Sequence, residues 1–291
     1  MSKEMLQFSE VCAFTAQTYS CQMERSMKNP QRENHREMVQ LSGTLQKGNS
    51  GSMCFLRIHG SGSIYFLLRR IGKGGTAEVW TAVKLPGLQI CAVKIREKTE
   101  TEKSEDEKGN RTVERRKAWT LLPLEAEARL LKALTQTSQN PVRNGEFPEF
   151  PRFIEYIRGR NHEYLVMEYL RGVTLGEYLR KGNSCSAEEI RELSSHLFAF
   201  LEKLHRRTPP VLFLDLTPDN ILLDRSGKLR MIDLGAASAW YYREEMAETI
   251  LYGTPGYAAP ELYSGCPGPA TDFYNLHVLL ELLAACGNTS G

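Results

Sequence analysis

Apolar residues follow two regimes along this chain. Between about residue 65 and residue 169 they mostly form short runs. Segments 65–68, 78–82 and 90–95 read as strands around a glycine turn, and 153–157 and 164–169 as two more. Among them, Leu and Ala recur at helical spacing over 124–134. Further on the pattern turns helical. In 187–205 apolar positions return every three or four residues, which predicts a long helix. The run 276–286 is apolar but short and carries His277 and Glu281, so it reads as a buried helix rather than a bilayer span. A strand-rich first half with one helix and a mostly helical second half predict an α+β fold of two lobes.

Two stretches lack this periodicity. Residues 1–60 are polar, with Gly/Ser punctuation at 48–52 and 60–63, and read as a flexible N-terminal leader. Met5, Met23, Met27, Met38 and Met53 all offer later start points, and order is expected to begin near Tyr65. Residues 97–117 are nearly all charged, with seven acids and seven bases, which predicts a solvated insert rather than a binding patch. The expected organisation is a leader 1–60, a first lobe and linker 61–170 with that insert, and a second lobe 171–291.

Composition adds mainly exclusions. The formal net charge of +2 gives no global field that would attract nucleic acid or an anionic membrane. The seven cysteines, at 12, 21, 54, 91, 185, 266 and 286, form no CxxC pair and no Cys/His cluster. Reduced thiols in a cytoplasmic protein are the plain expectation. The first twenty residues carry no signal-peptide pattern, and no apolar run is long enough to span a bilayer.

The candidate chemistry lies in four places. Ile71, Gly72, Lys73, Gly74, Gly75, Thr76, Ala77, Glu78 and Val79 form a glycine turn between strands, where backbone amides can approach phosphates because no Cβ intervenes. No Gly-Lys-Ser/Thr ends it and a strand follows it, so it is neither a Walker loop nor a dinucleotide-binding turn. Lys94 follows Ala92 and Val93 inside an apolar strand, where an ammonium needs a partner, and Glu127 on the predicted helix 124–134 can supply one. In 212–223, Asp215 and Asn220 sit in a loop between apolar runs, and Asp233 follows a further apolar run. Two acids and an amide presented from strand ends can hold Mg2+ through oxygen and orient a hydroxyl.

Taken together and in this order, these segments resemble a bacterial eukaryotic-like (Hanks-type) serine/threonine protein kinase over roughly residues 65–286, truncated at the C-terminus after the family's helix F. The resemblance implies ATP and Mg2+ as cofactors and protein Ser/Thr hydroxyls as substrates. It assigns the glycine turn to cover the phosphates, Lys94 to hold the α- and β-phosphates in a pair with Glu127, and Asp215 to accept the hydroxyl proton. Asn220 and Asp233 become the metal ligands. Met167, Glu168 and Leu170 match the hinge that meets adenine, and Ala92 and Leu222 fall in the nucleotide pocket. Residues 253–261 are similar to the end of the family's activation segment, and Asp272 to the start of its helix F.

The chain also departs from the family pattern. Phe213 and Leu214 stand where the family has His and Arg, and Thr217 where a lysine touches the transferring phosphate. Losing the arginine argues against switching by phosphorylation at Thr249 or Thr254 and for a constitutively formed loop. With no helices after helix F, Glu261 is expected to lose a partner, and Leu276, Val278, Leu279, Leu280, Leu282 and Leu283 to be under-covered. The leading expectation is an active protein kinase. The alternative is a pseudokinase that binds nucleotide or serves as a scaffold, which Thr217 favours. A small-molecule kinase of the same fold is disfavoured by segment 253–261, which in this family builds a protein-substrate platform.

Overall fold

Alternation along one strand organises the first lobe. In Gln89–Glu97, Cys91 and Val93 point to one side, and Ala92, Lys94 and Arg96 to the other. This strand, β4, is central to a six-stranded antiparallel sheet made with β1 (Arg57–His59), β2 (Ile64–Lys73), β3 (Ala77–Leu85), β5 (Phe153–Arg158) and β6 (His162–Glu168). The strand order is β1-β2-β3-β4-β6-β5. Cys91 and Val93 pack with Tyr65, Ala82 and Val166 in a small cluster of their own. Ala92 lies opposite Met167, and both join the main core with Leu165 and with Leu131 and Leu134 of helix α1 (Pro123–Thr135).

The computed structural model describes residues 57–75, 77–99, 123–136, 147–239, 253–263 and 267–288, all within the unit Ser42–Gly291. Two expected boundaries shift. Order starts before Tyr65, because Ile58 and its neighbours pair with β2 and bury Ile58 at 4% exposure. The charged insert begins after 97: Glu97 closes β4, and Lys98 is buried at 2%, its Nζ donating to the Gly159 carbonyl at 2.6 Å. Residues 1–56 of the leader and 100–117 of the insert lie outside the described residues.

The second lobe begins at β7 (Gly172–Thr174) and α2 (Leu175–Arg180). Helix α3 (Ala187–His205) follows. Its N-cap Ser186 and Glu189 form a reciprocal capping box, and Leu197, Phe200, Leu201 and Leu204 make its buried stripe. Strands β8 (Val211–Leu212), β9 (Ile221–Asp224), β10 (Leu229–Met231) and β11 (Ser238–Ala239) form two small sheets, β10-β9-β7 and β11-β8. A 3-10 turn, Pro218–Asn220, leads into β9. Helices α4 (Pro260–Tyr263) and α5 (Pro269–Asn288) complete the described chain.

The expected exposure of α5 holds only in part. It packs along α3, where the Phe198 and Phe273 rings lie 5.0 Å apart. Leu276, Leu279 and Leu283 are buried, whereas Val278, Leu280 and Leu282 are half-buried. Glu261 has a partner as well, since Thr271 Oγ1 donates to its carboxylate at 3.0 Å.

Candidate active site

The strand register carries Lys94 to the face of β4 that α1 covers, and helical spacing aims Glu127 back at it. Lys94 Nζ lies 3.0 and 2.8 Å from the two Glu127 carboxylate oxygens and 2.8 Å from Asp233 Oδ1. Burial works against the Lys94 charge, but the two carboxylates outweigh it and hold the lysine pKa above its ordinary value. Glu127 is enclosed at 6% exposure. Burial therefore pushes its carboxyl up to about 6, and Lys94, shared between two acids, counters this only in part. Asp233 Oδ1 also accepts from Gly235 N at 2.7 Å. A Cβ at Gly235 would sit 3.0 Å from that oxygen and 3.4 Å from Lys94 Nζ, so the tight approach suits glycine. Leu234, between them, is buried in one cluster with Leu131 and Phe213, which fixes the segment in the core.

A second group forms on the loop after β8. Asp215 Oδ2 accepts from Asn220 Nδ2 at 2.9 Å, and Asp215 Oδ1 accepts from Thr254 Oγ1 at 2.6 Å. Oδ1 also accepts from Thr254 N at 3.3 Å, so Oδ2 is the oxygen that keeps a further lone pair. Below the loop, Asp272 is fully buried and accepts from the backbone N–H of Phe213 at 2.9 Å and of Leu214 at 2.7 Å. Its Oδ2 also lies 2.7 Å from His205 Nε2. These contacts hold Leu214 at φ 64°, a left-handed backbone that a leucine rarely adopts, immediately before Asp215. Ile232 N donates to the Asn220 carbonyl at 3.1 Å, which ties the Asp215–Asn220 loop to the strand end carrying Asp233.

Asn220 Oδ1 and Asp233 Oδ2 take no hydrogen bond among the described residues. Two such hard oxygens fit Mg2+, which keeps several waters and is commonly held by one or two carboxylates together with substrate phosphates. No cluster of three His, Cys, Asp or Glu side chains suited to a metal occurs among the described residues.

The glycine turn is a hairpin between β2 and β3. Gly72 lies opposite Val79, Lys73 opposite Glu78, and Gly74 N donates to the Ala77 carbonyl at 2.8 Å. Glu78 is engaged by Arg70 at 2.9 Å, with Lys73 at 4.0 Å, so both charged residues face one another across the hairpin. Ile71 is exposed and Gly75 faces open space. Thr76 lies outside the described residues, as does Thr249. Met167 is buried at 6% and Leu222 at 7%. The Glu168 side chain turns to Arg152 and Arg230, and Leu170 is half-buried in the linker.

Sequence reasoning overlooked the support beneath Asp215. Asp272 was legible only as a helix start, since an acid in the first turn of a helix is ordinary there. His205 gave no signal, because its partner lies 67 positions away. Thr254 was weighed as a phosphorylation site, and its hydroxyl is instead bonded to Asp215. Arg96 and Glu163, a buried pair at 2.8 Å, sit opposite one another on β4 and β6. The strand register reveals that pairing, and sequence spacing does not.

The comparisons with known proteins bear on the family of the chain. The family model described as the protein kinase domain matches residues 65–287. The SNF1-related protein kinase catalytic subunit alpha KIN12 of Arabidopsis thaliana is 32% identical over 141 residues, which is 48% of this chain and 28% of that protein. Sperm motility kinase 3A of Mus musculus is 26% identical over 222 residues, 75% of this chain and 37% of its own length. The chain thus spans between 28% and 37% of the length of these relatives.

Proposed function

The chain belongs to the protein kinase family, and we propose that it is a catalytically active serine/threonine kinase, transferring the γ-phosphoryl group of ATP to hydroxyls of protein substrates in the reducing cytosol that its scattered cysteines suit. The observation that carries this reading is the Lys94–Glu127 pair, closed at 2.8 Å, with Asp233 on the same ammonium. Phosphoryl transfer asks a protein mainly for positioning and charge neutralisation. Lys94, held charged and aimed by Glu127, offers its ammonium to the α- and β-phosphate oxygens. The glycine hairpin places backbone N–H groups over the phosphates. Asn220 Oδ1 and Asp233 Oδ2 would hold Mg2+, which when bound neutralises charge on the phosphates.

Asp215, fixed by Asn220 and Thr254, orients the substrate hydroxyl and takes its proton. The hydroxyl oxygen bonds to the γ-phosphorus as the bond to the bridging oxygen breaks, and ADP departs with that oxygen. Thr217, at 5% exposure, brings no charge to the departing group, a loss of about 3 kcal/mol of transition-state stabilisation by comparison with single electrostatic donors.

That absence favours a second reading, a module that binds nucleotide without turnover. Labelled-ATP transfer to a generic basic protein separates the two, with Asp215→Asn as control. The active reading expects Mg-dependent transfer that Asp215→Asn abolishes. It also expects nucleotide to keep stabilising the variant, by about 2.7 kcal/mol at a hundred times Kd. Thermal stabilisation without transfer in the unaltered chain would establish the second reading. Among the described residues no helix is long and apolar enough to cross a membrane.

A further inference from the structure

A cavity of about 120 Å³ opens beside Glu168, where β6 passes into the linker. Phe147 and Phe150 wall it, and Arg152, Lys228 and Arg230 contribute cations to its lining. Lys94, Asp215 and Asp233 do not line it, and Glu168 enters it through the side chain that turns to Arg152 and Arg230.

Its cations differ in what they have left to give. Arg230 is committed: it donates to the Glu149 carbonyl at 3.3 Å, to the Phe150 carbonyl at 3.1 Å and to Glu168 Oε2 at 3.3 Å. Among the described residues the Arg152 guanidinium, 55% exposed, has one contact, from Nε to Glu168 Oε2 at 3.5 Å. The Lys228 backbone N–H is bonded to Asp224, while its ammonium has no partner among the described residues. Behind the aromatic wall, Lys203 Nζ sits 4.3 Å from the Phe147 ring centre, with Arg207 at 5.5 Å. Of the charged side chains that line the space, three are cations, Arg152, Lys228 and Arg230, and one is an acid, Glu168, so three minus one leaves two positive charges on the described lining. At about four times the ~30 Å³ that one water occupies in the liquid, the space admits a tetrahedral oxyanion.

We propose that this cavity binds a phosphoryl group, with Arg152 and Lys228 as its anchors. A dianionic phosphate matches the surplus charge, and its several acceptor oxygens suit one forked guanidinium beside one point-like ammonium. A carboxylate would leave one of the two spare cations unanswered. Binding there does not depend on phosphoryl transfer in the other cleft, and it can be measured without nucleotide.

The test is calorimetric titration of the full chain with inorganic phosphate and, separately, with a phosphoserine peptide. Saturable binding is expected, with Arg152→Ala and Lys228→Ala each weakening it about tenfold or more. Both side chains are exposed and both residues keep their backbone hydrogen bonds, so the fold survives truncation. Lys228→Glu serves as the second variant and should abolish binding. Lys181→Ala, an exposed lysine at the end of α2, should leave it unchanged. Peptide binding well above that of phosphate identifies a phosphorylated chain as the ligand, and equal affinities identify a free phosphate. Failure to saturate, or binding that Arg152→Ala and Lys228→Glu leave intact, would overturn the assignment.

Discussion

Replacing Asp272 by Ala tests what holds the loop that presents Asp215. The substitution removes one carboxylate from beneath two buried N–H groups, those of Phe213 at 2.9 Å and Leu214 at 2.7 Å. A buried donor left without an acceptor costs about 1–3 kcal/mol. Two of them bring the loss to roughly 2–6 kcal/mol, which brackets the ~3–5 kcal/mol seen when one partner of a buried charged contact is removed. Leu214 adds to this, because a left-handed residue costs about 1–2 kcal/mol and persists only where its surroundings hold it. Against a total of about 5–15 kcal/mol, such a loss is large. Urea unfolding should show the midpoint falling with little change in slope. Asp272→Asn, which keeps an oxygen for one of the two N–H groups, should lose about half as much. Phosphoryl transfer should fall further than stability predicts, because Asp215 follows Leu214 directly. An Asp272→Ala variant destabilised by less than about 1 kcal/mol would refute the reasoning, since the loop would then be held by its apolar packing alone.

Further outcomes follow from the Lys94–Glu127 and Thr254–Asp215 contacts. Glu127 must be ionised to keep Lys94 in place, so kcat/KM should fall as pH drops through about 6, and Glu127→Gln should remove that acidic limb at a lower plateau. Because the folded-state value lies above the ordinary 4.5, the stability tied to this proton is fully present below pH 4.5 and is lost as pH rises through about 6; Glu127→Gln should flatten that slope in urea titrations at several pH values. Thr254→Ala removes the 2.6 Å bond to Asp215 and should lower kcat about 10- to 100-fold with KM for ATP nearly unchanged. Thr254→Glu should not restore the rate, and a rescue would mean that Thr254 acts as a phosphorylation site after all.

The strands and helices that bury a face were legible in the sequence, and their limits less so. Helix 187–205 is found at those limits, because a capping box opens it and its stripe of Leu and Phe meets the core. β2 runs to Lys73 rather than ending at 68, since Arg69 and Arg70 lie exposed in a strand held by backbone pairing and give no apolar signal. β1 was hidden for a similar reason: Ile58 is its one apolar residue, and what makes it a strand is the partner edge of β2. In the site, residues whose chemistry is local could be read directly. Lys94 in an apolar strand demanded an acid, which Glu127 supplies, and Asp215, Asn220 and Asp233 carried side-chain oxygens at strand ends. What could not be read were contacts that depend on register or on the meeting of distant helices, such as Arg96 with Glu163 and Asp272 with Phe213.

The make-up of the Asp215 loop bears on how the protein would be controlled. In 213–217, Asp215 is the sole charge, and Phe213, Leu214, Leu216 and Thr217 are all buried. Phe213 stacks among aromatic rings, 6.3 Å from Phe150 and 5.9 Å from Phe200. A loop that is switched by a phosphate needs a cation beside the catalytic acid to receive that charge, and these buried apolar side chains offer none. Instead the loop is held from one side by Asp272 and the core, and from the other by Thr254. Burial of this kind is present in the unmodified chain, so the loop supports a site that is formed without phosphorylation. Control would then fall on elements outside it, chiefly on the placement of α1, because Glu127 reaches Lys94 only while that helix packs against Ala92 and Leu165.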